Sequence, residues 1–583
     1  MNLPLNTIDH LSQRLQELHA RTRETPLFNP VFQLGLDLSR GLESDALDLD
    51  ALEMLVEELE CASLNARTHR LRTLIKPDDI QNPVAASCDD GEEFEAFQKR
   101  WERPSLHAVF TAHPTFLMTP AQTQAVADAA SNGSSISHSS ELSGASRPKV
   151  TLDYEHAEAM AAIAHAQTAR SAIVREVFEH AYGCWPKQWK ALRPLPFRFA
   201  TWVGYDMDGR TDIAWYTSIR FRLSEKAERL ARYADELAAI DPDHSLIAVL
   251  KGASDHAAKS AQDFAGDLSE PQALSDAANR LTADDPAKLT SLDALIAQLE
   301  EEAQSEAKDA KAADLLTLAA AMRADGLGMA HIHFRVNAKQ LYNAIRVHLH
   351  ESPGLDLASK GAVATLRGML GTVSPKRTNF ASLAIESSTA TRQFLAMAQI
   401  LEHIDADTPI RMLVAECEQP STILAALYLA KLFGIEDKVD VSPLFETEEA
   451  LEHGGRFLEA LCAEEAYQDY ARTRGRVCIQ TGFSDAGRFV GQIPASLAIE
   501  RLQGRLAQAM ERNKLTDVAA LIFNTHGESM GRGAHPDSFE DRLTWPLSPW
   551  AKRRFVRADI RLEPEVSFQG GDGYMFFSTF YWI

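Results

Sequence analysis

The feature that most constrains this chain is a series of eight short apolar runs, each ending in polar residues. In order they are HAVFTAHP, FRFATWVGYDMDG, MAHIHFR, IRMLVAE, VDVSPLFE, RVCIQTGFSD, AALIFNTHG and EVSFQGG. The later runs alternate with helical stretches. PSTILAALYLAKLFG follows the fourth, TEEALEHGGRFLEALCAEEAYQDYART the fifth and PASLAIERLQGRLAQAMERN the sixth. Strand–helix alternation favours parallel pairing, because a parallel neighbour is reached only through a crossover long enough to hold a helix. Eight such units predict an α/β, predominantly helical protein built on a closed (β/α)8 barrel of the TIM type. The working face of such a barrel lies at the C-terminal ends of its strands.

The rest of the chain is read around that barrel. Residues 1–100 carry Leu, Glu, Asp and Arg at helical spacing, as in LDLDALEMLVEELECASL, and form a helical N-terminal region. Residues 101–221 hold the first strands, a helical insertion and a Ser/Gly-rich loop at 131–149. Residues 222–324 are a helical insertion of long amphipathic segments, and residues 325–583 hold the remaining strands and most of the polar motifs.

Composition narrows the function. With 59 Lys and Arg against 82 Asp and Glu, the net charge is −23. That argues against nucleic acid or an anionic membrane as the main partner, and leaves room for a small anionic substrate in a locally basic site. The six cysteines, at 61, 88, 184, 417, 462 and 478, form no CxxC pair, so neither a zinc cluster nor a disulfide framework is expected. MNLPLNTIDHLSQRLQELHART has no apolar signal region. No segment approaches the ~18 uninterrupted apolar residues of a membrane span. The expectation is a soluble cytoplasmic protein.

A barrel brings the strand ends together, and with them His113, Asp206 with Asp208, Arg335, Glu416, Glu446, Asp485, and His526 with Arg532. His113 is an acid/base candidate. Carboxylates from different strands suit Mg²⁺ or Mn²⁺, which prefer oxygen and leave positions for water or substrate. Arginines grip phosphate or carboxylate through two donors, and Gly531 and Gly533 beside Arg532 allow backbone N–H groups to approach an anion. Each residue also has a structural reading. Glu446 and Asp485 could cap the helices that follow. GYDMDG resembles an Asp/Gly turn. His331 and His333 in HIH could be metal ligands or satisfied core histidines.

Taken in order, the motifs resemble the phosphoenolpyruvate carboxylase family. VFTAHPT is similar to its catalytic-histidine motif, WVGYDMDGRTDI to its Gly-Asp segment, and MRADGLGMAHIHFRVNAK to the stretch with a substrate-binding arginine. VDVSPLFETEEAL and QTGFSDAGRFVG resemble the segments holding two metal carboxylates, and FNTHGESMGRGAHP the double Gly-Arg-Gly loop. The resemblance implies an anaplerotic carbon–carbon lyase that uses Mg²⁺ or Mn²⁺, phosphoenolpyruvate and bicarbonate to make oxaloacetate for the tricarboxylic acid cycle, as a cytoplasmic homo-oligomer, a tetramer in the family. It implies that His113 is the general base, that Glu446 and Asp485 bind the metal, that Arg335 holds phosphate, and that Arg532 positions bicarbonate and substrate. Arg488 falls where the family has a lysine, and His526 at its first loop arginine.

The departures from the family pattern are specific. Phe116 stands in for a polar residue, Thr119 and Pro120 for an arginine pair, Met207 for an arginine, Arg210 for an asparagine and Glu528 for a glycine. A negative charge at Glu528 would oppose phosphate. These changes leave open an impaired barrel that binds ligand or serves assembly, or one that acts on another small carboxylic acid. Family members also continue for several hundred residues past EVSFQGG, so the chain is expected either to be a fragment or to bury the aromatic end YMFFSTFYWI.

Overall fold

The computed structural model describes residues 6–75, 83–88, 91–111, 118–137, 148–207, 210, 212–266, 268–349, 354–357, 359–527, 538–571 and 573–578. The eight expected strands are all present: β1 (Leu106–Thr111), β2 (Phe197–Thr201), β3 (His331–Asn337), β4 (Ile410–Ala415), β5 (Val439–Phe445), β6 (Arg476–Thr481), β7 (Ala519–Asn524) and β8 (Leu562–Gln569). They pair in sequence order, all parallel, and β1 meets β8 to close the barrel. No described helix is long and apolar enough to cross a membrane.

The chain divides into two compact units. The smaller comprises residues 1–78 and 117–149. Its helices are Ile8–Arg21, Pro30–Glu43, Leu49–Ile75 and Pro120–Asn132. Thr119 and Gln122 close a capping box at the start of the last of these, so Thr119 and Pro120 begin a helix. Arg72 donates to the carbonyls of Ala130 and Ser131 at 2.6 and 3.0 Å, which satisfies that helix's far end.

The larger unit holds the barrel. Between β2 and β3 the chain forms five helices, Trp215–Ile240, Leu246–Asp263, Pro271–Thr282, Asp293–Ser305 and Asp309–Asp325. Leu230, Leu237, Leu250, Leu299 and Leu316 from this insertion join Phe97 and Phe178 in one apolar core. Burial of that kind, at roughly 25 cal/mol per Å² of apolar surface, is what holds such helices to a barrel wall.

Side chains alternate between the two faces of a strand, so every second residue points into the barrel. The inward rows form three levels. At the floor, near the strands' N-terminal ends, lie His107, His333, Arg411, Asp440, Glu563 and Glu565, all buried. Val109, Ala200, Leu413 and Phe523 form an apolar plug above them, with Trp202 packed against it. Arg335, Gln480 and Gln569 then face a cleft at the C-terminal mouth. Charged residues at the floor survive burial because they are paired. Arg411 pairs with Glu565, Asp440 accepts a hydrogen bond from Arg474 at 2.7 Å, and His107 Nε2 lies 3.6 Å from Glu563. Burial pushes the His107 imidazole down to about 4, and drives His333 well below its usual range, so both are neutral near pH 7.

Candidate active site

The loop after β2 is fixed before it reaches the mouth. The N–H groups of Tyr205 and Asp206 both donate to the Trp202 carbonyl, at 2.9 and 3.0 Å, which closes a tight turn. Gly204 makes the turn possible. Its φ is +88°, and a Cβ there would stand 2.4 Å from the Phe221 ring. Ser218 donates to the Gly204 carbonyl at 2.7 Å, and Tyr205 Oη to Glu225 Oε1 at 2.7 Å. Arg222 and His156 hold the same glutamate, at 2.9 and 3.0 Å. Further along, Arg210 bridges Glu155 at 2.8 Å and Asp212 at 2.6 Å. The turn reading of GYDMDG is therefore correct for its described residues, and the turn presents Asp206 to the mouth.

Arg335, on β3, stands between two carboxylates. It lies 3.8 Å from Asp206 and 3.6 Å from Glu446, which follows β5. Glu446 does not cap the next helix. Thr447 does, accepting from the Ala450 N–H at 3.1 Å, and Glu446 is left facing the cleft. Asp485 is in the first turn of helix Phe483–Val490, where a carboxylate suits the helix dipole, and it pairs with Arg488 at 2.6 Å. Gly482 lets these two segments close together. A Cβ on it would lie 2.3 Å from Glu446 Cβ and 3.1 Å from Glu446 Oε2. The N–H of Ser484 donates to the Thr525 carbonyl at 2.7 Å, which ties the start of this helix to the end of β7.

The result is a polar cleft of about 290 Å³ at the strand ends. It brings together Asp206, Arg335, Glu446, Asp485 and Arg488 from the sequence-derived set, and adds Arg210, Gln480, Thr525 and Gln569. The additions had a legible signal in part. Gln480 and Gln569 are the last inward-facing residues of β6 and β8, at the positions that the period of two brings to the mouth.

Other candidates lie elsewhere. Glu416, directly after β4, has a left-handed backbone, φ +54°, and an exposed side chain that does not line the cleft. His526 is fully buried. Its N–H donates to Ser567 Oγ at 2.9 Å, and Ser567 Oγ donates back to its carbonyl at 2.7 Å. Burial and the nearby Arg542 guanidinium push its imidazole down to about 3, so it is neutral near pH 7. His113, Asp208 and Arg532, with Phe116 and Glu528, lie outside the described residues. His331 and His333 face the barrel interior on β3, below Arg335.

The carboxylates suit an oxygen-preferring divalent ion. Glu446 and Asp485 are both partly exposed and line one cleft, and Gly482 lets the start of the Asp485 helix pack against Glu446. Among the described residues no group of three or more His, Cys, Asp and Glu assembles that could hold a metal. Two carboxylates with water or substrate completing the shell is the pattern of Mg²⁺ and Mn²⁺ sites, whereas a zinc site draws three or four protein ligands.

Comparison with known proteins supports the family resemblance over part of the chain. Residues 267–539 match the family model described as "Phosphoenolpyruvate carboxylase". Curated phosphoenolpyruvate carboxylases from Tolumonas auensis and Aeromonas hydrophila are 27% and 30% identical to this chain over 151 residues. The one from Chromohalobacter salexigens is 28% identical over 151 residues. These stretches cover 26% of this chain, and the chain spans 17%, 17% and 16% of the three relatives' lengths.

Proposed function

We propose that this chain, which carries a phosphoenolpyruvate carboxylase family domain over residues 267–539, carboxylates phosphoenolpyruvate with bicarbonate to give oxaloacetate and phosphate. The observation that carries the reading is Arg335 set between Asp206 and Glu446 in a cleft that also holds Asp485 and Arg488. An anion-gripping cation and a divalent-metal carboxylate pair at one strand-end face are what this chemistry requires.

In this reading Arg335 grips the phosphoryl group and turns it toward the attacking oxygen. A bicarbonate oxygen bonds to phosphorus, the bond from phosphorus to the enol oxygen breaks, and carboxyphosphate and the enolate of pyruvate result. Arg488 and Arg532 balance the charge of bicarbonate and hold it in line. His113 takes the carboxyphosphate proton, phosphate leaves, and the released CO₂ accepts the enolate carbon to form oxaloacetate. Glu446 and Asp485 would hold Mg²⁺ or Mn²⁺, whose charge stabilises the developing oxyanion. The apolar level of Leu413 and Phe523 lies beneath the cleft residues on the inward rows, which supports chemistry at the mouth rather than deeper in the barrel. The products and substrates are small molecules. A cytoplasmic homo-oligomer supplying oxaloacetate to the tricarboxylic acid cycle belongs to the same proposal.

The direct assay is purified chain with Mg²⁺, bicarbonate and phosphoenolpyruvate, with oxaloacetate read by coupled reduction. The reading requires metal-dependent oxaloacetate. Folded protein that makes none sinks it.

One observation favours a second reading. His526 is buried and neutral where the family resemblance sets a cation. In that reading the barrel binds phosphoenolpyruvate without turning it over and serves as a ligand-binding or assembly protein. Calorimetric titration separates the two: metal-dependent binding without oxaloacetate supports the second.

A further inference from the structure

The geometry points to a second anion site, on the outer wall of the barrel, for a small molecule carrying two or more phosphate or carboxylate groups. A cleft of about 400 Å³ opens between helices Gln492–Arg512 and Pro549–Arg557. Arg501 and Arg505 line it from the first helix, Arg554 and Arg557 from the second, and Glu511 is the one carboxylate among its described lining residues.

The charge of this patch runs against that of the chain. Acidic residues outnumber basic ones 82 to 59 overall, yet here four arginines face one glutamate. Several arginines on other surfaces pair with carboxylates: Arg175 with Asp314, Arg193 with Glu300 and Arg280 with Asp263, each at 2.7 Å. Arg512, on the same helix as Arg501 and Arg505, pairs with Glu459 at 2.8 Å. None of the four cleft arginines has a carboxylate at ion-pair distance among the described residues. Arg554 and Arg557 also sit in the last turn of their helix, where a cation offsets the dipole. Arg501 and Arg505 lie in mid-helix, where that reason does not apply.

The cleft is shaped as well as charged. Trp550 seats over Gly504, where a Cβ would stand 2.8 Å from the indole ring. Arg554 stacks on the same indole, its guanidinium carbon 4.6 Å from the ring centroid, and Arg505 donates to Gln508 at 3.2 Å. Two of the four guanidinium groups are thus held in place before any ligand arrives, which lowers the ordering cost of binding. Planar guanidinium forks match phosphate and carboxylate oxygens in pairs, and several forks around one cleft select a polyanion over a single charge.

The test is calorimetric titration of the full chain with inorganic pyrophosphate, and separately with citrate, in metal-free buffer. Pyrophosphate can also enter the barrel mouth, so the titrations are run on Arg335→Ala and on Arg335→Ala combined with Arg505→Ala and Arg554→Ala. Thermal melting checks that each variant is folded. The expected result is saturable, salt-sensitive binding of at least one anion to Arg335→Ala, weakened at least about tenfold by the two further changes. Arg505→Lys, which keeps the charge but not the fork, should fall between. Stronger binding of pyrophosphate or of citrate identifies the anion class. No heat with either anion, or equal affinity in the triple variant, overturns the site.

Discussion

The barrel's floor and its mouth are built from the same residue types and do opposite things with them. At the floor, Arg411 and Glu565 are 6% and 1% exposed and pair directly. At the mouth, Arg335 sits 3.6 and 3.8 Å from its carboxylates and is half-exposed. Water cannot screen or replace the floor pair, so its members must stay together. At the mouth the pairs of Arg335 can be exchanged for an anion at little cost, since ion pairs in contact with solvent are worth about 0–1 kcal/mol. The four-residue apolar plug of Val109, Ala200, Leu413 and Phe523 separates the two environments. The same charged residue types are therefore locked into pairs at one end and left open to a ligand at the other.

The largest effect should come from breaking the floor. Arg411→Leu leaves Glu565 buried without its partner and should cost about 3–5 kcal/mol in denaturant unfolding, whereas Arg411→Leu with Glu565→Leu should recover most of it. If the single change cost no more than a surface pair, the floor would not be the structural element described. Next comes the mouth. Arg335→Ala should lower kcat/KM on the order of 100-fold, or about 3 kcal/mol, with unfolding changed by less than about 1 kcal/mol.

Acid sharpens the contrast. His107 and His333 are depressed below their unfolded value, His107 to about 4, so their stability contribution is complete above about 6.5 and is lost as pH falls through the folded values. Glu565 is pushed up to about 7 by burial, so its contribution is present at low pH and lost as pH rises toward 7. Each group changes stability by about 1.4 kcal/mol per pH unit inside its window. With His331, which burial also drives well below its usual range, three histidines against one carboxyl make the barrel interior a net loss of stability as pH falls from about 6.5 to 5. His107→Gln should flatten that slope in pH-dependent denaturation. The smallest effect is expected of Arg488→Ala. Its pair with Asp485 is half open to solvent, so unfolding should shift by about 0.5 kcal/mol or less while kcat/KM falls.

Much of this was legible in the sequence, for physical reasons. Strand–helix alternation fixes a parallel closed sheet, and the polar residue ending each apolar run marks the mouth. Asp206, Arg335, Glu446 and Asp485 were found that way. The floor was equally written in the sequence and passed over. IRMLVA, VDVSPLF and LEPEVSFQ each carry a charge four to six residues before the strand's end, at inward positions set by the period of two. The outward placement of Glu416 and the burial of His526 were not legible. The first depends on a left-handed backbone at the end of β4, and the second on a hydrogen-bonded exchange with Ser567 from β8, 41 residues away. Arg210 looked like a lost asparagine, and only the fold brings Glu155 and Asp212 to it.

The most direct test of the account compares oxaloacetate formation by the unaltered chain and by Arg335→Ala, at saturating Mg²⁺ and bicarbonate, with unfolding midpoints measured on the same preparations. The account predicts metal-dependent oxaloacetate from the unaltered chain and its near-complete loss in Arg335→Ala at an unchanged midpoint. Undiminished oxaloacetate in Arg335→Ala, or none from the folded unaltered chain, would contradict it.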